Sequence, residues 1–141
     1  KPMSKVASGG EMSRFMLALK NITAAIEKIP TMVFDEIDTG ISGHIAAVVG
    51  EKMVSIADNH QVLCVTHLPQ IAALADVHFM VQKQDDGQTT RTSLKRLEME
   101  ERYEYIARMM SGMEDSKLAY EHARELITHS EEIKQKRRKN K

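Results

Sequence analysis

Two short apolar segments, each ending in polar side chains, constrain the fold of this chain most strongly. The first, TMVFDEID, runs from Thr31 to Asp38, and the second, QVLCVTH, runs from Gln61 to His67. The first is typical of a strand buried on both faces, and the second repeats its pattern. A helical pattern from His44 to Ala57 lies between them, and a short helix with Pro69 in its first turn follows. Strand, helix, strand, helix predicts an α/β fold on a parallel sheet.

A longer helical pattern precedes the first strand. From Glu11 to Lys28 the apolar residues recur every three or four positions, and Pro30 follows. This spacing predicts a helix with one buried stripe. The stripe consists of Met12, Phe15, Met16, Leu19, Ile22 and Ile26.

The segments after the second strand predict a hairpin and two helices. Two alternating runs, VHFMVQKQ and TTRTSLKRL, are joined by the turn residues 85–88. A helix from Met99 to Met110 is expected to stop at Gly112, and another is expected to begin near Asp115 and Ser116. The predicted fold is therefore a mostly parallel sheet with flanking helices, a β-hairpin and two C-terminal helices.

The stretch VASGGEMSR, from Val6 to Arg14, opens the first helix with two glycines. Ser8 and Glu11 have the spacing of a capping box, which would make the stretch a helix start and nothing more. Each glycine, however, costs about 1 kcal/mol of helix propensity relative to alanine. A serine hydroxyl and bare backbone N–H groups at a helix N-terminus also form an anion site that a phosphate can approach closely. Both interpretations stay open on these residues alone.

Acidic and histidine side chains follow the two predicted strands. Because ligands of open α/β sheets bind beyond the carboxyl ends of the strands, Asp35, Glu36 and His67 are expected at one crevice. Asp35 suits Mg²⁺ held through water, and Glu36 could polarise a water that attacks a phosphoryl group. His67 could bind a γ-phosphate or that water, and Asp38 could shape the loop. Alternatively, the acids are a solvated strand end, His67 is structural and Asp38 only turns the chain.

Composition excludes several classes of protein. Lysine plus arginine and aspartate plus glutamate number 20 each, so the overall charge indicates neither a nucleic-acid nor a membrane partner. No membrane segment or leader pattern is present, and the single cysteine, Cys64, predicts a reducing compartment, the cytoplasm. The last eight residues, KQKRRKNK, carry six basic side chains that could contact DNA or form a solvated end. The chain does not begin with Met, so we expect a piece of a longer protein.

Taken in order, these motifs resemble those of ATP-binding-cassette ATPases. SGGEMSR resembles the signature motif, TMVFDE the Walker B strand, Ile37-Asp38-Thr39 the D-loop, and VTH the switch-histidine strand. At the position of Glu11, transporters usually have glutamine. Glutamate at this position resembles the chromosome-structure and DNA-repair branch of these ATPases. Within this SMC-like branch, the residues from Ser4 to about Ile127 closely resemble the C-terminal part of a bacterial DNA-repair family.

This resemblance implies a P-loop ATPase head whose two sequence halves flank a long coiled coil. Residues 1–128 would be the second half of the head, and residues 129–141 a basic tail that is flexible or extends the last helix. Such proteins bind DNA and hydrolyse ATP as two heads engage, in double-strand break repair and recombination near the bacterial nucleoid.

The same resemblance implies roles for single residues. Asp35 would support Mg²⁺, Glu36 would be the catalytic base, and His67 would sense the γ-phosphate. ATP held by the opposing head would be contacted by the signature residues, and Asp38 would organise the contact between heads. The residues assigned to ATP are Ser8, Gly9, Gly10, Glu11 and Asp38.

One expected motif is missing. A P-loop needs G-x-x-x-x-G-K-[ST], and the chain contains no Gly-Lys pair. The residues that bind the nucleotide would therefore come from the N-terminal half of the head, and the chain alone is expected to bind ATP weakly or not at all and not to hydrolyse it. Without that half, apolar surface and strand edges are expected to be uncovered.

Two alternative functions remain open from the sequence. One is a transporter ATPase subunit, and the other is a non-catalytic module that binds protein or nucleic acid through the basic tail.

Overall fold

The computed structural model describes residues 8–23, 26, 28–85, 87, 89–112 and 116–139. This part of the chain contains five helices and four strands, and the α/β fold class predicted from the sequence is confirmed. In chain order the elements are α1 (Gly9–Thr23), β1 (Thr31–Phe34), α2 (Gly43–Ala57), β2 (Gln61–Cys64), α3 (Pro69–Ala72), β3 (Phe79–Asp85), β4 (Thr90–Arg96), α4 (Met99–Ser111) and α5 (Lys117–Lys139).

Strands β1 and β2 form the predicted parallel pair. Thr31 lies opposite Gln61, and Phe34 lies opposite Cys64. The backbone N–H of Val65 donates to the Phe34 carbonyl at 3.0 Å, which carries the pairing one residue further. The carboxyl ends of both strands therefore lie at the same edge of the sheet, where the acids and the histidine were expected.

The prediction that β1 is buried on both faces is wrong for this chain. Met32 and Phe34 are buried, but Val33 between them is 68% exposed. Successive side chains of a strand point to opposite faces, so the described elements cover one face of β1 and leave the other open.

A first core cluster lies beneath the buried face of β1. It joins residues of α1, α2 and α3 to the strand: Leu17, Met32, Phe34, Ile37, Ala46, Val49, Met53, Ile56 and Ile71. Cys64 is partly buried and packs against this cluster. Burial, with the charges of Asp38 and Asp35, raises the pKa of the Cys64 thiol to about 12. This thiol is therefore protonated and unreactive at neutral pH.

Helix α1 buries a different side from the one predicted. Leu17 is 3% exposed, whereas Phe15 is 48% and Ile22 is 77% exposed. The spacing correctly indicated an amphipathic helix, but most of the predicted stripe is exposed and only Met12 in it is partly buried. Residues 24, 25 and 27, where the helix was predicted to continue, lie outside the described residues.

The predicted hairpin is present. Strands β3 and β4 are antiparallel, with Phe79 opposite Arg96 and Asp85 opposite Thr90. Within the turn, the Gly87 backbone N–H donates to the Asp85 carboxylate at 3.0 Å. Asp86 and Gln88, also predicted in the turn, lie outside the described residues.

Helices α4 and α5 pack on each other and build a second cluster. Helix α4 begins with a capping box formed by Glu98 and Glu101 and ends at Gly112, which has a left-handed φ of 66°, as predicted. Residues 113–115 are outside the described part, so the predicted start of α5 at Asp115 is not described. The cluster consists of Ala72, Ala73, Ile106, Ala107, Ala119, Ala123 and Ile127.

The basic end of the chain continues α5 as far as Lys139, and part of it is structural. The Lys134 ammonium lies 3.0 Å from an Asp76 carboxylate oxygen and 2.9 Å from one of Glu131. Arg137 donates to the Ser55 hydroxyl at 2.8 Å and to the Asp58 carboxylate at 3.1 Å. These two cations therefore hold the last turns of α5 against the segment after α3 and the end of α2.

Lys134→Ala is expected to lower the free energy of unfolding of this chain by about 1–2 kcal/mol. The Lys134 side chain is 5% exposed, so the substitution removes a packed aliphatic stem as well as two ion pairs. Urea denaturation followed by circular dichroism would measure the loss. Lys136→Ala is the control on the same helix, because Lys136 is exposed and its loss should change stability by less than about 0.5 kcal/mol. Equal effects of the two substitutions would contradict a structural role for Lys134.

No helix among the described residues has both the length and the apolar character needed to cross a bilayer.

Candidate functional site

The predicted acids and histidine lie at the carboxyl ends of the two parallel strands. Asp35 and Glu36 directly follow β1, and His67 lies three residues beyond the end of β2. All three are exposed, whereas Asp38 on the same loop is buried at 3% exposure. The loop 35–39 is therefore the element around which the candidate site is built.

The backbone of this loop is held in a conformation that is uncommon for its residues. Glu36 has a φ of 57°, in the left-handed region that non-glycine residues rarely adopt. The Asp35 carboxylate accepts the Glu36 backbone N–H at 2.9 Å, and the Asp35 carbonyl accepts the Ser13 hydroxyl at 2.8 Å. Such a conformation persists when neighbouring contacts enforce it, and it occurs frequently at functional sites.

Helix α1 supplies the contacts that sequence analysis missed. The Arg14 guanidinium donates to the Ile37 carbonyl at 3.2 Å and to the Thr39 carbonyl at 2.7 Å. Together with Ser13, Arg14 fastens the first turns of α1 to the loop after β1. Both residues belong to SGGEMSR, and their polar side chains following two glycines were the available signal, but no pattern showed which carbonyls they bind.

The two glycines of α1 have different surroundings. Gly10 is buried, and a Cβ placed on it would lie 2.9 Å from the Glu36 carbonyl oxygen and 2.9 Å from the Thr39 carbonyl oxygen. Close packing against the chain's own loop therefore gives one reason for a glycine at position 10, and the predicted contact of Gly10 with a phosphate stays a prediction. Gly9 is exposed, and a Cβ there would collide with the Glu36 carboxylate. The Glu36 side chain thus lies beside the start of α1.

Ser8 and Glu11 form the capping box considered from the sequence. The Ser8 backbone N–H donates to the Glu11 carboxylate at 2.9 Å, and the Glu11 N–H donates to the Ser8 hydroxyl oxygen at 3.3 Å. Because the hydroxyl accepts in this contact, its proton can still be donated to a ligand. Ser8 is exposed, so capping and anion binding are compatible at this corner.

Asp38 connects the loop to the end of β2. One of its carboxylate oxygens, Oδ2, accepts the Thr66 hydroxyl at 2.6 Å and the His67 backbone N–H at 2.8 Å. The Nδ1 atom of the His67 ring lies 3.0 Å from the same oxygen. Burial alone would raise the pKa of Asp38, but these hydrogen bonds and the nearby ring outweigh it and lower the pKa below its ordinary value. The role of Asp38 between two heads stays a prediction, and its contacts here are within one chain.

A groove of about 550 Å³ runs between α1 and β1 and reaches the acids. Its lining combines apolar and polar side chains: Gly9, Met12, Ser13, Met16, Lys20, Ile29, Thr31, Met32, Val33, Phe34, Asp35 and Glu36. Glu36 therefore lines this groove together with residues of β1.

The residues present fit a loosely held Mg²⁺ and not a complete protein cage. Among the described residues, no group of three or more His, Cys, Asp or Glu side chains could hold a metal ion. Mg²⁺ usually keeps several waters and needs one or two carboxylates beside the phosphates of its nucleotide. Asp35 is exposed and its Oδ1 accepts one N–H, which leaves the second carboxylate oxygen for a metal-bound water.

The α/β fold class and the placing of these motifs at the ends of the parallel strands agree with the prediction from the sequence. No protein-family model matches the chain. The chain is, however, similar to curated bacterial proteins. It is 47% identical over 134 residues to "DNA repair protein RecN" of Halalkalibacterium halodurans. It is 45% identical over 135 residues to the RecN of Bacillus subtilis and 46% identical over 127 residues to that of Streptomyces coelicolor.

These matches cover 95%, 95% and 90% of this chain but 24%, 23% and 22% of the relatives. The chain thus spans about a quarter of the length of the RecN proteins it matches. The resemblance predicted from the motifs is confirmed, as similarity to a segment of RecN. The matched relatives are bacterial proteins named for DNA repair.

Proposed function

We propose that this chain is part of an SMC-like ATPase head that acts in DNA double-strand break repair and recombination. One observation carries the proposal: the loop 35–39 brings together the acids, the Asp38–His67 pair and the start of α1 at the carboxyl ends of two parallel strands. The names of the RecN relatives support the role in DNA repair. The alternative of a transporter subunit receives no such support.

The chemistry proposed for this site is attack of water on the γ-phosphate of ATP. Glu36 accepts a proton from the water while the oxygen of the water bonds to the γ-phosphorus. The bond from the γ-phosphorus to the oxygen that bridges it to the β-phosphate breaks. ADP leaves with that electron pair, and inorganic phosphate is the second product. Asp35 would hold Mg²⁺ through water, and the ion would neutralise charge on the phosphates. The proposed role of His67, at the end of the neighbouring strand, is to contact the same water or a phosphate oxygen.

The residues that bind the nucleotide itself are proposed to lie in another segment, the N-terminal half of the head. The chain has no Gly-Lys pair for a P-loop, and its relatives are about four times as long. The exposed apolar side chains of α1 and β1, among them Phe15, Ile22 and Val33, are a surface that such a segment would cover. This accounts for the amphipathic stripe that faces away from the described core.

A second head is the proposed partner at the start of α1. Ser8 and Gly9 are exposed there, and the N-terminus of a helix favours an anion. We propose that Ser8, Gly9, Gly10 and Glu11 meet ATP held by the second head. DNA is the third proposed partner, with Lys136, Arg138 and Lys139 as exposed cations on α5.

Complementation tests the proposal. This chain alone is expected to show no ATP binding at micromolar concentrations by calorimetry and no phosphate release. When the remainder of a full-length relative is expressed separately and added, ATP hydrolysis should appear, because the cradle and the acid loop are then combined. The remainder alone is the matched control and should bind ATP without turnover.

Two outcomes would overturn the proposal. Hydrolysis by this chain alone would place the cradle within it. A stable complex of the two parts that binds ATP but never hydrolyses it would show that the loop 35–39 does not supply the catalytic acid.

A further inference from the structure

We propose that Arg14 is a positioning residue for Glu36, because it holds the loop 35–39 in the backbone conformation that carries the Glu36 carboxylate. The hold of α1 on this loop depends only on contacts within the chain, whereas its effect on catalysis rests on the proposed ATPase function. The two can therefore be tested separately.

Gly10, Ser13 and Arg14 lie on one face of α1. Residues three and four positions apart on a helix are neighbours, and the same face continues to Leu17, which is 3% exposed in the first core cluster. The start of this face is therefore polar and its end is apolar. Because Leu17 packs into the cluster that contains the buried side chains of β1, the polar start lies against the loop that follows β1.

The two polar side chains of this face bind carbonyls along the whole loop. The Ser13 hydroxyl donates to the Asp35 carbonyl at 2.8 Å. One terminal nitrogen of Arg14 donates to the Ile37 carbonyl at 3.2 Å and to the Thr39 carbonyl at 2.7 Å. A single guanidinium group therefore fixes two loop carbonyls, and the serine fixes a third on the other side of residue 36.

The Glu36 carbonyl faces the same helix at Gly10. A Cβ on Gly10 would lie 2.9 Å from the Glu36 carbonyl oxygen, so the glycine allows this close approach. The same carbonyl accepts the Thr39 N–H at 3.1 Å, which closes a turn within the loop. A non-glycine residue with a φ of 57°, such as Glu36, persists when surrounding contacts enforce it. The contacts of α1 on both sides of Glu36 provide that enforcement.

The location of a base affects its rate as strongly as its chemistry. A general base must lie within hydrogen-bonding reach of the proton that it removes, and a misplacement of about 1 Å can cost about a hundredfold in rate. Arg14 donates to the carbonyls of Ile37 and Thr39 and leaves the Glu36 carboxylate unchanged. Loss of Arg14 should therefore move the base without altering its proton affinity or the binding of ATP.

Hydrogen exchange of backbone amides in this chain tests the hold of α1 on the loop without ATP. Arg14→Met keeps an unbranched side chain but removes both hydrogen bonds. The Thr39 amide, which donates to the Glu36 carbonyl, is expected to exchange at least about tenfold faster. The Gly112 amide at the end of α4 should keep the parent rate. Arg91→Met in the exposed hairpin is the matched control and should change neither rate.

Ser13→Ala is a milder second variant, which decides the question if Arg14→Met does not fold. It removes one hydrogen bond, to the Asp35 carbonyl, and places a strong helix former in α1. The Thr39 amide should then exchange about two- to tenfold faster. An unchanged Thr39 rate in either variant that folds would overturn the hold of α1 on the loop.

Kinetics of the full-length protein test the positioning role. Arg14→Met is expected to lower kcat by at least about tenfold, with the KM for ATP and the ATP-dependent association of heads unchanged. A loss in KM or in association instead would show that Arg14 acts on nucleotide contacts at the start of α1, and the positioning role would be overturned. It would also be overturned if Glu36→Gln stopped hydrolysis while Arg14→Met left kcat unchanged. Failure of the ATPase assignment is distinct, because Glu36→Gln would then leave hydrolysis unaltered.

Discussion

Glu36→Gln in the full-length protein is expected to lower the rate of ATP hydrolysis by at least about a hundredfold while ATP binding is retained. Glutamine has the size and hydrogen-bonding reach of glutamate, but its amide cannot accept the proton of the attacking water. Glu36 is exposed at the crevice and its side chain lies beside the start of α1, so the substitution creates no cavity. Steady-state phosphate release and calorimetric titration with ATP measure the two quantities.

The matched control is Glu51→Gln. Glu51 is exposed on α2, away from the loop 35–39, and the same acid-to-amide change there should leave hydrolysis unaltered. An unaltered hydrolysis rate for Glu36→Gln would show that another group takes the proton. Equal loss of binding and hydrolysis would show that Glu36 holds the nucleotide and is not a base.

Ser8→Arg is expected to abolish ATP-dependent association of two heads while each head still binds ATP. Ser8 is exposed at the start of α1, where the bulk of arginine would displace a partner's phosphate. Loss of the cap costs only about 1 kcal/mol, so the fold should survive. Light scattering after size-exclusion chromatography, with Glu36→Gln also present to preserve bound ATP, measures the association.

Ser8→Thr is the matched control, because threonine keeps the hydroxyl that accepts the Glu11 N–H and adds little bulk. This variant should dimerise with ATP as the parent does. Normal dimers of Ser8→Arg would count against any contact between Ser8 and the nucleotide of a second head.

Local patterns predicted the elements well because their causes are local. The alternation around the hairpin, Gly112 at the end of α4 and the S-x-x-E spacing of Ser8 and Glu11 each depend on a few neighbouring residues. Burial was predicted less well. Periodicity shows that a helix such as α1 has an apolar stripe, but not whether this chain or another segment covers it, and Ile22 is 77% exposed.

In the candidate site, too, only the features with local causes could be predicted from the sequence. The acids and His67 could be placed at one crevice because strand ends of a parallel pair coincide. The contact of Asp38 with His67, 29 residues apart, and the clamp of Arg14 on the Thr39 carbonyl, 25 residues away, depend on tertiary packing. No spacing rule connects such positions, and the close packing of Gly10 against the Glu36 carbonyl could not be predicted because these residues are also distant in sequence.

Ser13 and Arg14 of α1 donate to carbonyls of the loop 35–39, and Asp38 of the same loop accepts from Thr66 and His67, so two other stretches of the chain are hydrogen-bonded to this loop. If the ATP proposed for a second head displaced the start of α1, the carbonyls of Asp35, Ile37 and Thr39, which accept from Ser13 and Arg14, would be displaced too. The Glu36 carboxylate on the same loop would move with them. Occupancy of one nucleotide in a pair would in this way set the geometry for cleaving the other.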